Sequence, residues 1–104
     1  MIDSLKQCQK EILEFPLAIR EELADALARL DQGLSLSMPL SRPMPSIGKG
    51  VHELRFRDRS GVYRVIYVLL GASQIWLLHA FMKKTPQTSP RNIELARKRL
   101  ENVR

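Results

Sequence analysis

VHELRFRDRSGVYRVIYVLLGASQIWLLHAFMKK, residues 51–84, decides the fold. Three runs rich in β-branched and aromatic residues are broken at Asp58-Arg59-Ser60-Gly61 and at Gly71-Ala72-Ser73. Loops this short join antiparallel neighbours, so the stretch reads as three strands of one sheet. Alternation sorts the side chains. Leu54 and Phe56 point one way, and Glu53, Arg55 and Arg57 the other. Tyr63, Val65, Tyr67 and Leu69 share one face of the second strand, and Val62, Arg64, Ile66 and Val68 share its reverse. If the apolar faces meet with Leu54 opposite Val65, Arg55 falls opposite Arg64. Like charges directly across a strand pair are destabilising. Either a polyanion bound on that face supplies the counter-charge, or both guanidinium groups reach solvent or pair with Glu53 and Asp58.

The third strand, 75–81, is nearly continuous in apolar residues, as a strand covered on both faces is. If Ile66 pairs with Leu77, His79 lies beside Arg64. A slip of one residue puts Ala80 there instead, and the sequence leaves the choice open.

Upstream, residues 3–14 read as a helix with Leu5, Cys8, Ile12 and Phe15 on one stripe. Phe15-Pro16 breaks it, and Pro16 suits the first turn of a second helix carrying Ile19, Leu23, Leu27 and Leu30. Gly33 is placed to end that helix as a left-handed cap. Arg20, Glu21, Glu22 and Asp25 fall on the solvated side. Residues 34–50 hold prolines and glycines that exclude a helix or a central strand. Gly48-Lys49-Gly50 is a weak phosphate-loop signal, with no strand before it and no helix after. Downstream, Ser89-Pro90 starts a third helix, with Ser89 as N-cap and Ile93, Ala96, Leu100 and Val103 as its apolar stripe. Arg91, Arg97, Lys98, Arg99 and Arg104 make that helix basic. The chain, 104 residues long, is read as one domain over residues 1–104.

Charge is segregated. Residues 1–40 carry four Lys and Arg against seven Asp and Glu, and residues 41–104 carry thirteen against four. A net +9 in the second part points to a polyanionic partner, nucleic acid being the commonest. No apolar run is long enough for a membrane span, and the start lacks a signal-peptide layout. The single cysteine, Cys8, makes neither a disulfide nor a metal cage within the chain and fits a reducing cytosol, so a cytoplasmic location is expected. No dense Asp/Glu or Cys/His cluster marks a metal nuclease.

The progression ELRFRDRSGVYRVIY followed by IWLLHAFMKKTPQTSPRNIELARKR resembles the RelE/HigB-type toxins, most of all their phage-derived branch, over residues 13–103. The resemblance implies an α+β fold: two N-terminal helices packed on a small antiparallel sheet, with a basic C-terminal helix. It also implies the toxin of a type II toxin–antitoxin pair, a ribosome-dependent mRNA endonuclease working without metal or cofactor. Its partners would be the ribosome, mRNA and an antitoxin of helix-turn-helix type. Carried over by position, the catalytic candidates are Arg55, Arg64, Lys83, Lys84 and His79, with Arg57, Tyr63, Thr88 and Arg91 as RNA contacts. Two departures stand out. The chain opens almost directly in its first helix, where the family has a strand, so the start is truncated or the sheet lacks an edge strand. Pro86-Gln87 stands where lysine or glutamine is customary. The competing reading is a ParE-like toxin, which shares the architecture but inhibits DNA gyrase by binding it.

The residue types suit RNA cleavage. RNA carries its own nucleophile, the 2′-hydroxyl, so a protein needs only to bind the phosphate, stabilise developing charge and move protons. Guanidinium pairs bidentately with phosphate oxygens and keeps its proton. A lysine crowded by cations has a lowered pKa and can serve as base, and histidine is the other acid–base candidate.

Overall fold

The computed structural model describes residues 1–71 and 73–104; Ala72, in the second expected turn, lies outside the described residues. In chain order the elements are β1 (Ile2–Ser4), α1 (Lys6–Leu13), α2 (Leu17–Asp31), β2 (Ser41–Pro43), β3 (Val51–Asp58), β4 (Gly61–Leu70), β5 (Gln74–Lys83) and α3 (Pro90–Glu101). The strands form one sheet in the order β1-β5-β4-β3-β2. The three long strands are antiparallel, with Leu54 opposite Val65 and Arg55 opposite Arg64, the register that the apolar alternation requires.

Each face of the sheet has its own core. Leu54, Phe56, Tyr63, Val65 and Tyr67 meet Cys8, Phe15, Ile19, Leu23 and Leu30 of the α1–α2 side. Ile66, Val68 and Leu78 on the reverse meet Ala96 and Leu100 of α3 together with Met44 and Ile47 of the connecting loop. Gly33 ends α2 with φ 85°, its N–H bonding Leu30 O while Leu34 N–H reaches Arg29 O, a Schellman closure. Ser89 accepts from Asn92 N–H and Pro90 opens α3, as the start signal implies.

Three details differ from the sequence reading. The chain does not open in a helix: Ile2–Ser4 is a strand parallel to β5, with Ile2 paired to Ile75, Asp3 to Trp76 and Ser4 to Leu77, and α1 begins only at Lys6. Three residues are too few to show a period, and this edge strand is held by its partner rather than by local pattern. Likewise Ser41–Pro43 inside the proline-rich segment is an edge strand on β3, where Pro43 forfeits no ladder bond to an inner neighbour. The one-residue-slipped β4–β5 register holds over Tyr67–Leu70, but neither alternative holds at Arg64. A bulge between Ile66 and Tyr67 places Ile66 opposite His79 and Arg64 opposite Phe81.

Candidate nucleic-acid interface

Residues directly opposite one another on neighbouring strands project to the same face, so the ladders lay out the side chains in rows. One row on the α3 side of the sheet runs Arg42, Glu53, Ile66, His79. The next runs Arg55, Arg64, Phe81, and the third Arg57, Val62, Lys83. The core beneath α3 centres on Ile66, Val68 and Leu78 and reaches the second row only at Phe81, which packs against its edge while staying partly buried. The half of the face that α3 leaves open therefore carries Arg55, Arg57, Arg64 and Lys83.

Glu53 is the carboxylate set among them. It is 1% exposed, and Arg64 is 5% exposed. Arg64 Nε lies 3.4 Å from Glu53 Oε1, close enough for charge pairing but without hydrogen-bond alignment. Arg64 Nη1 donates to Tyr63 O at 3.2 Å. The other Glu53 oxygen accepts from Thr88 Oγ1 at 2.7 Å, which ties the β5–α3 loop down across the sheet. Among the described residues Arg55 has no carboxylate partner; its Nη1 lies 3.7 Å from Met38 Sδ. Asp58 is occupied by its own turn, accepting from Ser60 N–H and Ser60 Oγ. Of the two counter-ions the sequence offered, Glu53 is used and Asp58 is not.

The crowding shows in the titration of the cations. Burial, opposed by Glu53 and reinforced by Arg55, Arg57 and Arg42, lowers the Arg64 pKa. The Lys83 ammonium is also pulled below its usual value, first by desolvation, then by Arg64, with Glu53 opposing and Arg55 and Arg42 adding to the effect. Such a face has more positive charge than its single buried carboxylate can balance and is complementary to phosphate.

Arg55, Arg57, Arg64 and Lys83 thus come together, and Thr88 reaches their shared carboxylate. Lys84 and Arg91 line an adjoining cleft with Lys83. Tyr63 does not join them. Alternation sends it to the opposite face, where it is buried against Phe15 (ring centroids 4.9 Å apart) with its hydroxyl 2.6 Å from Ser60 Oγ. His79 is displaced from Arg64 by the bulge, and both its ring nitrogens are engaged: Nδ1 lies 3.0 Å from Glu11 Oε1 and Nε2 2.7 Å from Asn92 Oδ1. Arg99 completes that cluster, donating to both Glu11 oxygens at 2.8 and 3.0 Å. Burial alone would raise the Glu11 pKa, but hydrogen bonds from His79, Arg99 and the Ala80 N–H bring it down to about 2. Cys8 is fully buried, and desolvation, with Glu11 adding to it and Arg99 opposing, pushes its thiol up to about 12, as befits a core residue.

Arg42 and Phe81 were missing from the sequence-derived site, and Glu53 entered it only as a counter-ion. Arg42 sits in a segment whose prolines hide the strand. Phe81 reads as one more apolar residue of β5. Glu53 was legible by parity, since it shares the Arg64 face. Among the described residues no group of three His, Cys, Asp or Glu stands ready to hold a metal ion.

Two helices on one face of a five-stranded sheet, a third helix on the other, and an open basic patch define a RelE-like α+β domain. The chain superimposes on an arginine-to-alanine double mutant of the Escherichia coli toxin RelE in the free state with a TM-score of 0.66, at 13% identity, covering 99% of this chain and 96% of that one. The isolated E. coli RelE toxin gives 0.58 at 15% identity, with 99% and 97% covered. The chain belongs to the family described as phage derived protein Gp49-like (DUF891), whose model matches residues 10–101. No curated protein sequence matches it.

Proposed function

We propose that this chain is the toxin of a type II toxin–antitoxin pair and a ribosome-dependent, metal-independent mRNA endonuclease. The observation that carries the reading is the row Arg55–Arg64 with Lys83 in the next row, all on the half of the sheet that α3 leaves open. A scissile phosphodiester fits there by charge, and Arg64 is held from behind by Glu53 and the Tyr63 carbonyl. In the reaction the 2′-oxygen attacks phosphorus, the bond to the 5′-oxygen breaks, and the products end in a 2′,3′-cyclic phosphate and a 5′-hydroxyl. Arg55 and Arg64 stabilise the charge that grows on the non-bridging oxygens. Lys83, its pKa lowered by burial and by Arg64, takes the 2′-hydroxyl proton, solvent water protonates the departing 5′-oxygen, and Lys84 and Arg57 hold flanking phosphates. His79, committed to Glu11 and Asn92, positions the floor of the neighbouring cleft and transfers no proton. The RelE-like fold supports the same reading, and a helix-turn-helix antitoxin encoded nearby is the expected partner.

Cleavage of a translated message, mapped by primer extension, tests this. Arg64→Ala should lower the cleavage rate by about 100-fold or more, the usual effect of removing one oxyanion-stabilising donor. Cleavage by that variant at the wild-type rate overturns the proposal. Growth arrest on expression, relieved by the adjacent open reading frame, tests the toxin–antitoxin assignment separately.

A further inference from the structure

The RNA reading leaves a second depression unexplained. It lies between the end of β5, the β5–α3 loop and the start of α3, has a volume of about 380 Å3 and is lined by Phe81, Lys83, Lys84, Gln87, Ser89 and Arg91 among others. That is within the size range of small-ligand sites. We propose that this cleft is a nucleobase subsite, in which the base of a nucleotide flanking the bound phosphodiester stacks on Phe81. The inference rests on the RNA-binding reading above and adds to it where the neighbouring nucleoside goes.

Position carries the argument. Phe81 is the strand partner of Arg64, so the two stand one strand spacing apart, about 4.8 Å, on the same face. A phosphate held by Arg64 has its own nucleoside within reach of Phe81 and of little else that is aromatic on that face. Phe81 is only partly buried, unlike Ile66 and Val68 on the same face. Its ring is backed by His79, stacked at 4.9 Å between centroids with 25° between planes. His79 is in turn fixed by Glu11 and Asn92, so the platform cannot swing away. Aromatic platforms beside cationic grooves are how proteins hold single-stranded nucleic acid, since every base has a π-face to offer.

The rest of the cleft is suited to the same ligand. Glu11, the carboxylate in its wall, is already bonded by Arg99, His79 and the Ala80 N–H and offers no unpaired charge to repel a phosphate. Lys84 and Arg91 are exposed on the rim, where the next phosphate along the strand would pass. Gln87 is exposed at the loop tip with an amide that can meet a base edge, whereas Asn92 is spent on His79 and Ser89. Pro86-Gln87, which leaves this turn without a lysine, thus substitutes hydrogen-bonding capacity for charge.

The probes are uncleavable 2′-O-methyl oligoribonucleotides five residues long, one intact and the others each with a single abasic residue at a different position. Binding of each to the wild-type protein is measured by fluorescence anisotropy at low salt. One abasic position is expected to weaken binding by about 10-fold or more, the ordinary worth of one base–aromatic stack, while the others change it little. Phe81→Leu should erase that difference and bind the intact and abasic probes alike. Equal affinity of the wild-type protein for every probe, or a positional preference that Phe81→Leu retains, overturns the subsite. Failure to bind any probe also overturns it. The nuclease reading is judged apart by primer extension: a protein that cuts translated messages yet ignores the missing base loses the subsite alone. The comparison of probes on the unaltered protein stands even if Phe81→Leu does not fold.

Discussion

A carboxylate with 1% exposure surrounded by cations is costly unless its charge is matched. Glu53 is matched twice, by the Arg64 guanidinium at 3.4 Å and by the Thr88 hydroxyl at 2.7 Å. Removing one member of a buried pair strands the other, which typically costs about 3–5 kcal/mol. Glu53→Ala should therefore lower the free energy of unfolding by about 3 kcal/mol in urea titration, and Glu53→Gln, which still accepts from Thr88, by less. A Glu53→Ala protein as stable as wild type would mean that Arg64 is hydrated and the pair idle. Much of this local arrangement was legible. Two opposed arginines on a face with one glutamate follow from parity and from the demand that Leu54 meet Val65. His79 was not legible, because the extra residue taken up at the Ile66/Tyr67 bulge leaves no mark in an all-apolar run. Tyr63 entered the site by resemblance, although its own parity with Val65 already placed it on the helix side.

Between elements, the Glu11 cluster joins α1, β5 and α3 through His79, Asn92 and Arg99. Its carboxyl titrates at about 2 in the folded chain against an ordinary value of 4.5. A depressed folded value means that the stabilisation is fully present above the unfolded pKa and is lost as pH falls from there through the folded one. The window is therefore roughly pH 4.5 down to 2. The full shift corresponds to about 3 kcal/mol, and with the side chain 26% exposed, screening reduces this to about 1–2 kcal/mol. Thermal unfolding of wild type should show this acid limb, and Glu11→Gln should lack that part of it. Identical pH profiles for the two proteins would remove Glu11 from the account. Gly50 joins elements by another means. Its φ of 77° and the 2.9 Å between an added Cβ and Leu69 O allow only glycine where the β3 entry passes β4. Gly50→Ala is expected to cost about 1–3 kcal/mol in the same measurement. The elements themselves were readable wherever a period had room to show, as in α2, α3 and the three long strands. The two three-residue strands were not, since β1 and β2 exist through pairing with β5 and β3.

At the scale of the whole molecule, the division of charge along the chain becomes a division in space. The acidic first 40 residues supply the helices on one side of the sheet, and the basic remainder supplies the reverse face and α3. Binding to RNA through such a face releases counterions, with log K falling against log salt by about 0.7 for each phosphate neutralised on a single strand. Arg55, Arg57, Arg64 and Lys83, with Arg42 at the head of the adjoining row, can between them neutralise several phosphates. Arg57 is the informative one to remove. It is exposed, has no carboxylate partner among the described residues and lies one row from Arg64, so its loss leaves the core and the Glu53 pair intact. Arg57→Ala should weaken binding to an uncleavable RNA strand by a similar factor whatever its sequence, and should flatten the salt slope by about 0.7 in anisotropy titrations. Phe81→Leu should do the reverse, lowering affinity at one nucleotide position while leaving the slope unchanged. An unaltered slope in Arg57→Ala would place the RNA elsewhere than on this face. The charge segregation would then have to be explained by a partner that touches α3 alone.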